Sequence, residues 1–474
     1  MFCLIKGHDF ANEIQTVTQV FYPNEKFIRI DMVINNGITA VSELLSDICL
    51  SEIFHGGVSV SRYEMPLSGE AGYCVKKCMF LCLVSAERYT PDWGMLTGIR
   101  PSKLVHSLRE RRLTDEEIIR HFSDKFFVSR QKSALCLRVA EAETKIIAQA
   151  QGRYSIYIGI PFCPSRCLYC SFTSQPVRKG TEVVDCYLAA LEKEIFSAAP
   201  YLEGSSPDTV YIGGGTPTAL NAFQLERLLK TADRVFPKRM EYTVEAGRPD
   251  TIDRDKLKLL KEHGVTRLSI NPQTMNDKTL ELIGRGHTRS QFLEAFEMAR
   301  TEGHENINVD FILGLPGEDN DDVRNSLSAV LALKPENLTA HTLAVKRASR
   351  LKEELHSHAL TRNGIENMLK TTEVAIQSAG MYPYYMYRQK NMLGNFENVG
   401  YTISGFDCIY NVMIMTERQT ILAFGAGAIT KTVDTQHTVD TQHIERIFNV
   451  KSVDNYIRRI DEMIERKKVC FTNA

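Results

Sequence analysis

The stretch YIGIPFCPSRCLYCSF contains three closely spaced cysteines, Cys163, Cys167 and Cys170. Pro161 and Pro164 disfavour helix formation around these cysteines, so we expect a loop that brings the sulfurs together. Thiolates bind zinc and iron–sulfur clusters, and a four-iron cluster normally takes four of them. The residues alone leave three alternatives: a cluster with one open iron, a zinc site completed elsewhere, and a structural cluster with a distant fourth cysteine.

Short apolar runs and amphipathic stretches alternate after residue 154, and this pattern must position the cysteines. The predicted strands are 154–160, 208–214, 241–247, 266–272, 306–315 and 336–344, and the predicted helices between them are 183–199, 223–236, 253–264 and 291–303. Apolar strands separated by helices predict a parallel sheet covered by helices, and six such units suggest a barrel or partial barrel. The cysteines follow the first strand, so we expect them at the carboxyl ends of the strands, where chemistry occurs in such folds.

Polar residues recur at later strand ends. Glu245, Gln273 and Asp310 each follow or end a predicted strand, and Gly213–Gly215 end the second one. One such residue alone is more typical of a capping or exposed position, whereas recurrence at one mouth favours ligand contacts. Glycines allow a backbone to approach a ligand closely.

Composition and charge narrow the classes of function. The chain has 474 residues, 43% of them hydrophobic, with 57 basic against 58 acidic residues. This balance gives no electrostatic footprint for nucleic acid or for an anionic membrane surface. No apolar run is long enough to span a bilayer and the first residues lack the apolar region of a secretory signal, so we expect a cytoplasmic protein without stable membrane association.

Three domains are expected: an N-terminal α+β accessory domain (1–150), a core of six βα units (151–345) and a C-terminal domain that covers the substrate (346–474). Twelve cysteines are too dilute for a disulfide framework. Cys74, Cys78 and Cys82 lie on one stripe of a predicted helix and are expected to be core residues. The same expectation applies to the isolated cysteines Cys3, Cys49, Cys136, Cys186, Cys408 and Cys470. The repeated TVDTQH, which places His437 and His443 six residues apart, is interpreted as a loop duplication rather than a metal site.

The motif CPSRCLYC resembles the signature of radical S-adenosylmethionine (SAM) enzymes. Together with Y-x-x-I-P-F-C, GGGTP at 213–217 and NVDFILGLPGE at 308–318, it is similar to the oxygen-independent coproporphyrinogen III oxidase family. The segments WGMLTGIRPSKL at 93–104 and YRQKNMLGNFENVGY at 387–401 look like the HemZ-like coproporphyrinogen dehydrogenase branch. The resemblance covers essentially the whole chain.

The resemblance implies a fold, cofactors and contacts. The fold class would be α/β, a partial (βα)6 TIM-type radical SAM barrel with an N-terminal α+β domain and a C-terminal α+β extension. The three cysteines would hold one 4Fe-4S cluster whose open iron binds SAM, and a second SAM would bind beside the first. The matching SAM-binding positions are Tyr157, Tyr169, Gly214, Gly215, Thr216, Glu245, Gln273, Arg285, Asp310, Ala344 and Ile429.

The implied activity is oxidative decarboxylation of the propionates of coproporphyrinogen III to vinyl groups, which gives protoporphyrinogen IX in anaerobic heme biosynthesis, with flavodoxin or ferredoxin as electron donor. Lys346, Arg347 and Arg350 are candidates for the substrate carboxylates, with an exposed helix start as the alternative interpretation. The sequence departs from the family at Gly159, where a histidine is usual, and at Phe172, where a fourth cysteine is usual. A heme-binding carrier of the same fold, or another radical SAM reaction on a tetrapyrrole such as anaerobic heme opening, therefore remain alternatives.

Overall fold

A computed structural model of the chain describes residues 1–23, 25–150, 154–171, 174–177, 182–202, 204–344, 362–389, 395–434, 438 and 442–472. Two compact units are present: unit 1 comprises Met1–Pro101, Arg111–Leu137 and Arg388–Phe396, and unit 2 comprises Ser102–Glu110, Arg138–Tyr387 and Glu397–Ala474. The predicted domain boundaries after residues 150 and 345 border stretches outside the described residues and stay predictions. Also outside them lie Phe172, Lys346, Arg347, Arg350, His437 and the side chain of Cys470.

The first 150 residues contain both strands and helices, with one helix between the first two strands. The strands are β1 (Phe2–Lys6), β2 (Ile28–Ile30), β3 (Ile38–Leu44), β4 (Ile48–His55) and β5 (Val58–Pro66), and the helices are α1 (Ala11–Phe21), α2 (Ala71–Glu87), α3 (Pro101–Glu110), α4 (Asp115–Phe126) and α5 (Arg130–Gln149). The sheet order is β2-β1-β3-β4-β5, with β1 parallel to both of its neighbours and β3, β4 and β5 antiparallel.

The α2 cysteines are core residues, as predicted. Cys74, Cys78 and Cys82 are at most 1% exposed and pack with Met79 and Phe80 into the hydrophobic core of unit 1. Cys3, Cys49, Cys136 and Cys408 are buried too, whereas Cys186 is exposed, so its predicted core position is wrong. Cys186 lies in a helix whose opposite face is apolar, and a lone cysteine does not reveal which face it occupies.

The central sheet of unit 2 has eleven strands among the described residues. The strands of unit 2 in chain order are β6 (Tyr154–Ile160), β7 (Phe162–Cys163), β8 (Gln175–Pro176), β9 (Thr209–Gly214), β10 (Glu241–Glu245), β11 (Arg267–Ser269), β12 (Ile307–Leu313), β13 (Asn337–Thr342), β14 (Tyr382–Tyr387), β15 (Asn398–Thr402), β16 (Thr420–Phe424), β17 (Ile429–Val433) and β18 (Ile444–Phe448). The strand order of the eleven-stranded sheet is β14-β15-β13-β12-β11-β10-β9-β6-β16-β17-β18, and β7 pairs with β8 in a separate two-stranded sheet.

The six predicted core strands are confirmed as β6 and β9 to β13, and all of them are parallel. Within the part of the chain that the structure describes the sheet does not close, since β14 and β18 are its two edges, and the fold is a partial barrel. One parallel neighbour was not predicted: β16, from the C-terminal part of the chain, pairs with β6 and extends the barrel by a seventh parallel strand.

Helices lie between the strands of unit 2 and after its last strand. They are α6 (Val183–Ala198), α7 (Ala222–Val235), α8 (Arg254–Glu262), α9 (Asp277–Leu282), α10 (Arg289–Thr301), α11 (Asn320–Leu331), α12 (Arg362–Ser378), α13 (Ile409–Thr416), α14 (Val453–Arg458) and α15 (Ile460–Thr472). Capping boxes fix several starts, because Asn221, Thr288 and Asp319 each accept a hydrogen bond from the backbone three residues on. The four predicted core helices correspond to α6, α7, α8 and α10.

A buried carboxylate attaches the C-terminal helices to this sheet. Glu194 of α6 accepts hydrogen bonds from the Gly425 amide (2.8 Å) and the Tyr456 hydroxyl (2.5 Å), and it pairs with the ammonium of Lys467 on α15. Both charged side chains are almost completely buried. Removing one partner would leave the other charge unpaired in the interior, so the network is a structural one. Among the described residues, no helix has the length and apolar character needed to cross a bilayer.

Candidate active site

Backbone hydrogen bonds hold the cysteine loop after β6. The Val177 amide donates to the Cys163 carbonyl (2.8 Å), and the Leu168 amide donates to the Ile283 carbonyl (3.0 Å). The Cys170 amide donates to the Cys167 carbonyl (3.2 Å), which closes a turn between the second and third cysteines. Cys163 and Cys170 are half-buried and Cys167 is buried. The loop therefore presents its sulfurs from a fixed backbone.

Cys163 lies against the glycine turn that ends β9. Its sulfur is 3.4 Å from the Thr216 hydroxyl, and the Thr216 amide donates to the Phe162 carbonyl at 2.7 Å. Burial raises the pKa of the Cys163 thiol, the Thr216 hydrogen bond opposes this, and the nearby Cys170 and Cys167 raise the pKa further. The Cys163 thiol is therefore close enough to the other two thiols for their charges to affect its ionisation.

Two guanidinium groups face the sulfur of Cys167. Nη1 of Arg248 lies 3.6 Å from Sγ, and Nη1 of Arg285 lies 3.9 Å from it. Arg285 also donates through Nη2 to the carbonyls of Gly247 (3.0 Å) and Asn271 (2.5 Å). Tyr169 is next to this cluster: burial raises its pKa well above the ordinary value, with Arg285 opposing and Cys167 adding to the increase.

The glycine turn packs directly on the cysteine loop. A Cβ added to Gly215 would lie 2.5 Å from the Phe162 carbonyl oxygen, and one added to Gly213 would lie 2.8 Å from Glu245 and from Tyr211. Gly214 has φ +109°, a conformation that favours glycine. Packing between the turn and the strand before Cys163 thus requires glycine, which is a structural demand that the sequence pattern did not reveal.

Glu245 ends β10 and points toward that turn. Its carboxylate accepts hydrogen bonds from the Tyr211 hydroxyl (2.6 Å) and the Gly214 amide (3.1 Å). Burial raises the pKa of Glu245 to about 7; the Tyr211 hydrogen bond opposes the increase, and the charge of Asp310 adds to it. A carboxyl group that titrates near neutrality can act as either a hydrogen-bond donor or an acceptor toward a ligand.

Asp310 on β12 belongs to a second polar group. Its carboxylate accepts hydrogen bonds from the amides of Asn271 (2.9 Å) and Asn308 (2.8 Å), and Nε2 of His341 lies 3.7 Å away. Burial opposes ionisation of Asp310, but the hydrogen bond and charge of His341 and the hydrogen bond from Asn308 act against it, and the pKa of Asp310 is below the ordinary value. Tyr387 completes the group, with its hydroxyl 3.3 Å from Nδ1 of His341.

The remaining residues that were predicted to contact SAM lie at different distances from the residues described above. Gln273 has φ +69°, and its backbone amide donates to the backbone carbonyl of Asp310 (3.1 Å). The Tyr157 hydroxyl would be 3.3 Å from a Cβ on Gly214, so Tyr157 lies beside the turn. Ala344 comes two residues after β13. Ile429 begins β17, is 43% exposed, and pairs with Phe448 rather than with another predicted site residue.

Several residues of this site were not predicted, namely Arg248, Asn271, His341, Tyr211 and Tyr387. The first two lie in the segments VEAGRP (244–249) and SINP (269–272), so their positions next to predicted strand ends were available as a signal. His341 lies inside β13 and Tyr387 ends β14; their closeness to Asp310 depends on strand neighbours that are distant in sequence.

A cavity of about 720 Å³ in unit 2 lies at the other ends of the strands. It is lined by Glu241 and Arg267, which begin β10 and β11, together with Lys145 and Tyr382. Glu241 also accepts hydrogen bonds from the first amides of α13, including that of Ile409 at 2.8 Å. None of the predicted site residues lines this cavity, so it is separate from the cysteine site.

A family model of the radical SAM superfamily matches residues 157–330. The chain is 38% identical over 399 residues to the oxygen-independent coproporphyrinogen-III oxidase-like protein HemZ of Bacillus subtilis (strain 168), covering 82% of this chain and 79% of that protein. The chain belongs to the oxygen-independent coproporphyrinogen III oxidase family of radical SAM proteins. The family assignment and the predicted fold class are confirmed.

Other relatives of this radical SAM protein carry different names. The heme chaperone HemW of Bacillus subtilis (strain 168) is 33% identical over 277 residues, which are 58% of this chain and 70% of that protein. The solved structure of coproporphyrinogen III oxidase (HemN) from Escherichia coli, a radical SAM enzyme, has a TM-score of 0.54 at 24% identity, over 69% of this chain and 73% of that chain. The structural likeness supports the fold.

Radical SAM proteins use a 4Fe-4S cluster and SAM, and the predicted cofactors of this family member are confirmed at that level. The site fits both groups. Three thiols lie on one loop, and Nε of Arg285 is buried without a hydrogen-bond partner among the described residues, which leaves a donor for a carboxylate. No group of three or more His, Cys, Asp or Glu in the described part of the chain could hold a single metal ion. In a four-iron cluster, by contrast, each thiolate binds a different iron.

Proposed function

We propose that the protein catalyses oxidative decarboxylation of coproporphyrinogen III propionates to vinyl groups, forming protoporphyrinogen IX. The observation that carries this proposal is the cysteine loop packed on the glycine turn, with Glu245 at the end of β10 and Asp310 within β12. The similarity to an oxygen-independent coproporphyrinogen-III oxidase-like protein over 82% of the chain favours this substrate.

Cys163, Cys167 and Cys170 would hold the cluster and leave one iron open to SAM. When bound, the cluster and SAM would supply radical abstraction of a hydrogen atom from a substrate propionate, and loss of carbon dioxide and one electron would complete the vinyl group. The protein supplies binding, orientation and exclusion of water. The predicted ligand set for SAM stays a proposal, including the second SAM and the contacts of Ala344 and Ile429.

Arg285 and the two acidic groups would bind the polar parts of SAM. Arg285 has a buried donor available for a carboxylate, and guanidinium groups make bidentate contacts with carboxylates. Glu245 and Asp310 carry acceptors suited to ribose hydroxyls or an amino group. Because Tyr211 and Asn271 already hydrogen-bond these acids, the acids are fixed in place before a ligand arrives.

A second candidate function is that of a heme-binding carrier. It is favoured by the 33% identity to the heme chaperone HemW, which extends over 70% of that protein. A third candidate function is another radical SAM reaction on a tetrapyrrole, such as heme opening. The experiment below distinguishes it from the other two. Flavodoxin or ferredoxin is the proposed electron donor.

The test is anaerobic reconstitution with iron and sulfide, followed by reduction and addition of SAM with coproporphyrinogen III, with heme, or with neither. We expect 5'-deoxyadenosine and protoporphyrinogen IX only with coproporphyrinogen III. Formation of 5'-deoxyadenosine without decarboxylation would reject the proposed substrate and keep the radical SAM assignment. Stoichiometric heme binding without SAM cleavage would favour the carrier. Replacing a chemical reductant by reduced flavodoxin or ferredoxin tests the donor.

A further inference from the structure

Cys167 has a different environment from the other two cysteines of the loop. It is 7% exposed, whereas Cys163 and Cys170 are half-buried. Two guanidinium groups approach its sulfur, with Nη1 of Arg248 at 3.6 Å and Nη1 of Arg285 at 3.9 Å. Arg285 is already among the predicted SAM contacts, but Arg248 has no assigned role.

The guanidinium of Arg248 is held in one orientation. Nε and Nη2 each donate to a different oxygen of Asp250 at 2.9 Å, which is a bidentate ion pair. Nη1 remains for Cys167 and for the Ser165 hydroxyl at 3.2 Å. Arg248 is 3% exposed, and a Cβ on Gly286 would lie 2.8 Å from its Nη2. Packing, charge and hydrogen bonds therefore all fix the group that faces Cys167.

Three further charged or titratable side chains lie near Arg248 and Cys167. Asp250 lies on the far edge of the guanidinium, and Arg285 approaches Cys167 from the loop after α9. His287 is buried, and burial together with Arg285 lowers its pKa to about 3, so it is neutral near pH 7. The side of Cys167 that faces Arg248 and Arg285 is thus lined by positive charge.

We propose that Arg248 is a positioning residue that raises the reduction potential of the 4Fe-4S cluster by hydrogen bonding to Cys167. One-electron reduction adds a negative charge to the cluster and its thiolates. A fixed cation and an N–H donor directed at a ligand sulfur stabilise that charge, and hydrogen bonds to sulfur are among the features that set cluster potentials. The inference rests on the proposed ligation of the cluster by Cys167.

The experiment compares the wild type with R248Q, R248K and R239Q, each reconstituted with iron and sulfide without any tetrapyrrole. Arg239 is the matched control, since its side chain is 10% exposed and paired with Asp233 at 2.6 Å, just before the start of β10. Redox titration followed by electron paramagnetic resonance gives the midpoint potential, and iron content and thermal unfolding are measured on the same samples.

We expect R248Q to keep its iron and to have a lower midpoint potential, with at least a tenfold lower ratio of reduced to oxidised cluster at a fixed potential, which is about 59 mV for one electron. R248K should recover part of the shift, since it keeps the charge but not the bidentate geometry. R239Q should match the wild type.

An R248Q cluster with the wild-type potential would overturn the inference. A folded R248Q that holds no iron, with iron retained in R248K, would also overturn it in favour of a role in cluster retention. A cluster retained in C167A would reject the ligand assignment and the inference with it. A shifted potential in a protein that never decarboxylates coproporphyrinogen III would reject the proposed function and leave the role of Arg248 intact.

Discussion

The two cysteine triplets of this chain have nearly the same spacing and opposite surroundings. Cys74, Cys78 and Cys82 repeat every four residues inside α2, whereas the cluster-binding candidates follow C-x3-C-x2-C between prolines. In α2 the sulfurs of Cys78 and Cys82 face carbonyl oxygens of β4 and β5; Cys78, for example, lies 3.3 Å from the Cys49 carbonyl. These thiols are as buried as the apolar residues beside them.

In the loop after β6 the sulfurs face side chains that can donate hydrogen bonds to a negatively charged thiolate. Cys163 contacts the Thr216 hydroxyl, and Cys167 contacts Arg248. A thiolate is stabilised by such donors and disfavoured by apolar surroundings. The comparison shows that the backbone presenting the cysteines, more than their number or spacing, separates a cofactor site from a core.

The largest expected difference concerns iron. Cys167→Ala should abolish cluster binding, because a cluster held by two thiolates has lost a third of its protein ligands. Cys78→Ala should keep the wild-type iron content and lower the free energy of unfolding by about 1 kcal/mol through a small cavity. Iron and sulfide analysis after anaerobic reconstitution, with chemical denaturation in parallel, checks both. Loss of iron in Cys78→Ala would remove the distinction between the triplets.

Thiol labelling of the iron-free protein sharpens the same comparison. Cys186 is exposed and should react first with an alkylating reagent, followed by the half-buried Cys163 and Cys170. Cys78 should react only on unfolding, because it is buried and burial raises its pKa to about 12. Mass spectrometry of timed samples measures the order. Labelling of Cys78 at the rate of Cys186 would show that the core of unit 1 is open.

A glycine substitution tests the contact between turn and loop. Gly215→Ala places a Cβ 2.5 Å from the Phe162 carbonyl oxygen, so it should displace the loop, reduce the bound iron and weaken SAM binding at least tenfold, or about 1.4 kcal/mol. Gly98→Ala is the control, since nothing lies within 4 Å of its added Cβ. Equilibrium dialysis with labelled SAM measures the affinity. Wild-type iron and affinity in Gly215→Ala would refute the packing role of this turn.

The smallest expected effect concerns a buried carboxylic acid, Glu318, which is compared with the buried thiols. Glu318 is 3% exposed and accepts a hydrogen bond from Thr274 at 2.5 Å, and burial raises its pKa to about 7 from an ordinary 4.5. The folded protein therefore keeps this proton to higher pH than the unfolded chain does. The contribution to stability falls as pH rises from about 4.5 to about 7 and is constant above that range.

Glu318→Gln removes this titration, so its stability relative to wild type should increase between about pH 5 and about pH 8. Urea denaturation at both pH values measures the change. A constant difference between variant and wild type across this range would show that Glu318 titrates normally.

Much of the site was predictable from local patterns. The strand-end positions of Glu245 and Gln273 were predictable, because apolar strands are recognised directly in the sequence and parallel strands place their carboxyl ends at one edge. The strand-end position predicted for Asp310 is wrong, because β12 continues to Leu313 and Asp310 lies at its centre. Cys186 was misplaced, because burial on a helix depends on which neighbours cover each face. Gly213 and Gly215 were found, but their packing against Glu245 and Phe162 was not.

By itself, the sequence determined the six parallel strands, the helices that alternate with them, the cysteine loop and the resemblance that names its cofactors. These features depend on periodicity, turn residues and short motifs, all of which are local. Only the tertiary structure placed β16 beside β6, Arg248 against Cys167 and His341 beside Asp310. Each of these contacts joins residues that are far apart in the chain or on different elements, so it is decided by how the elements pack together and not by any one segment.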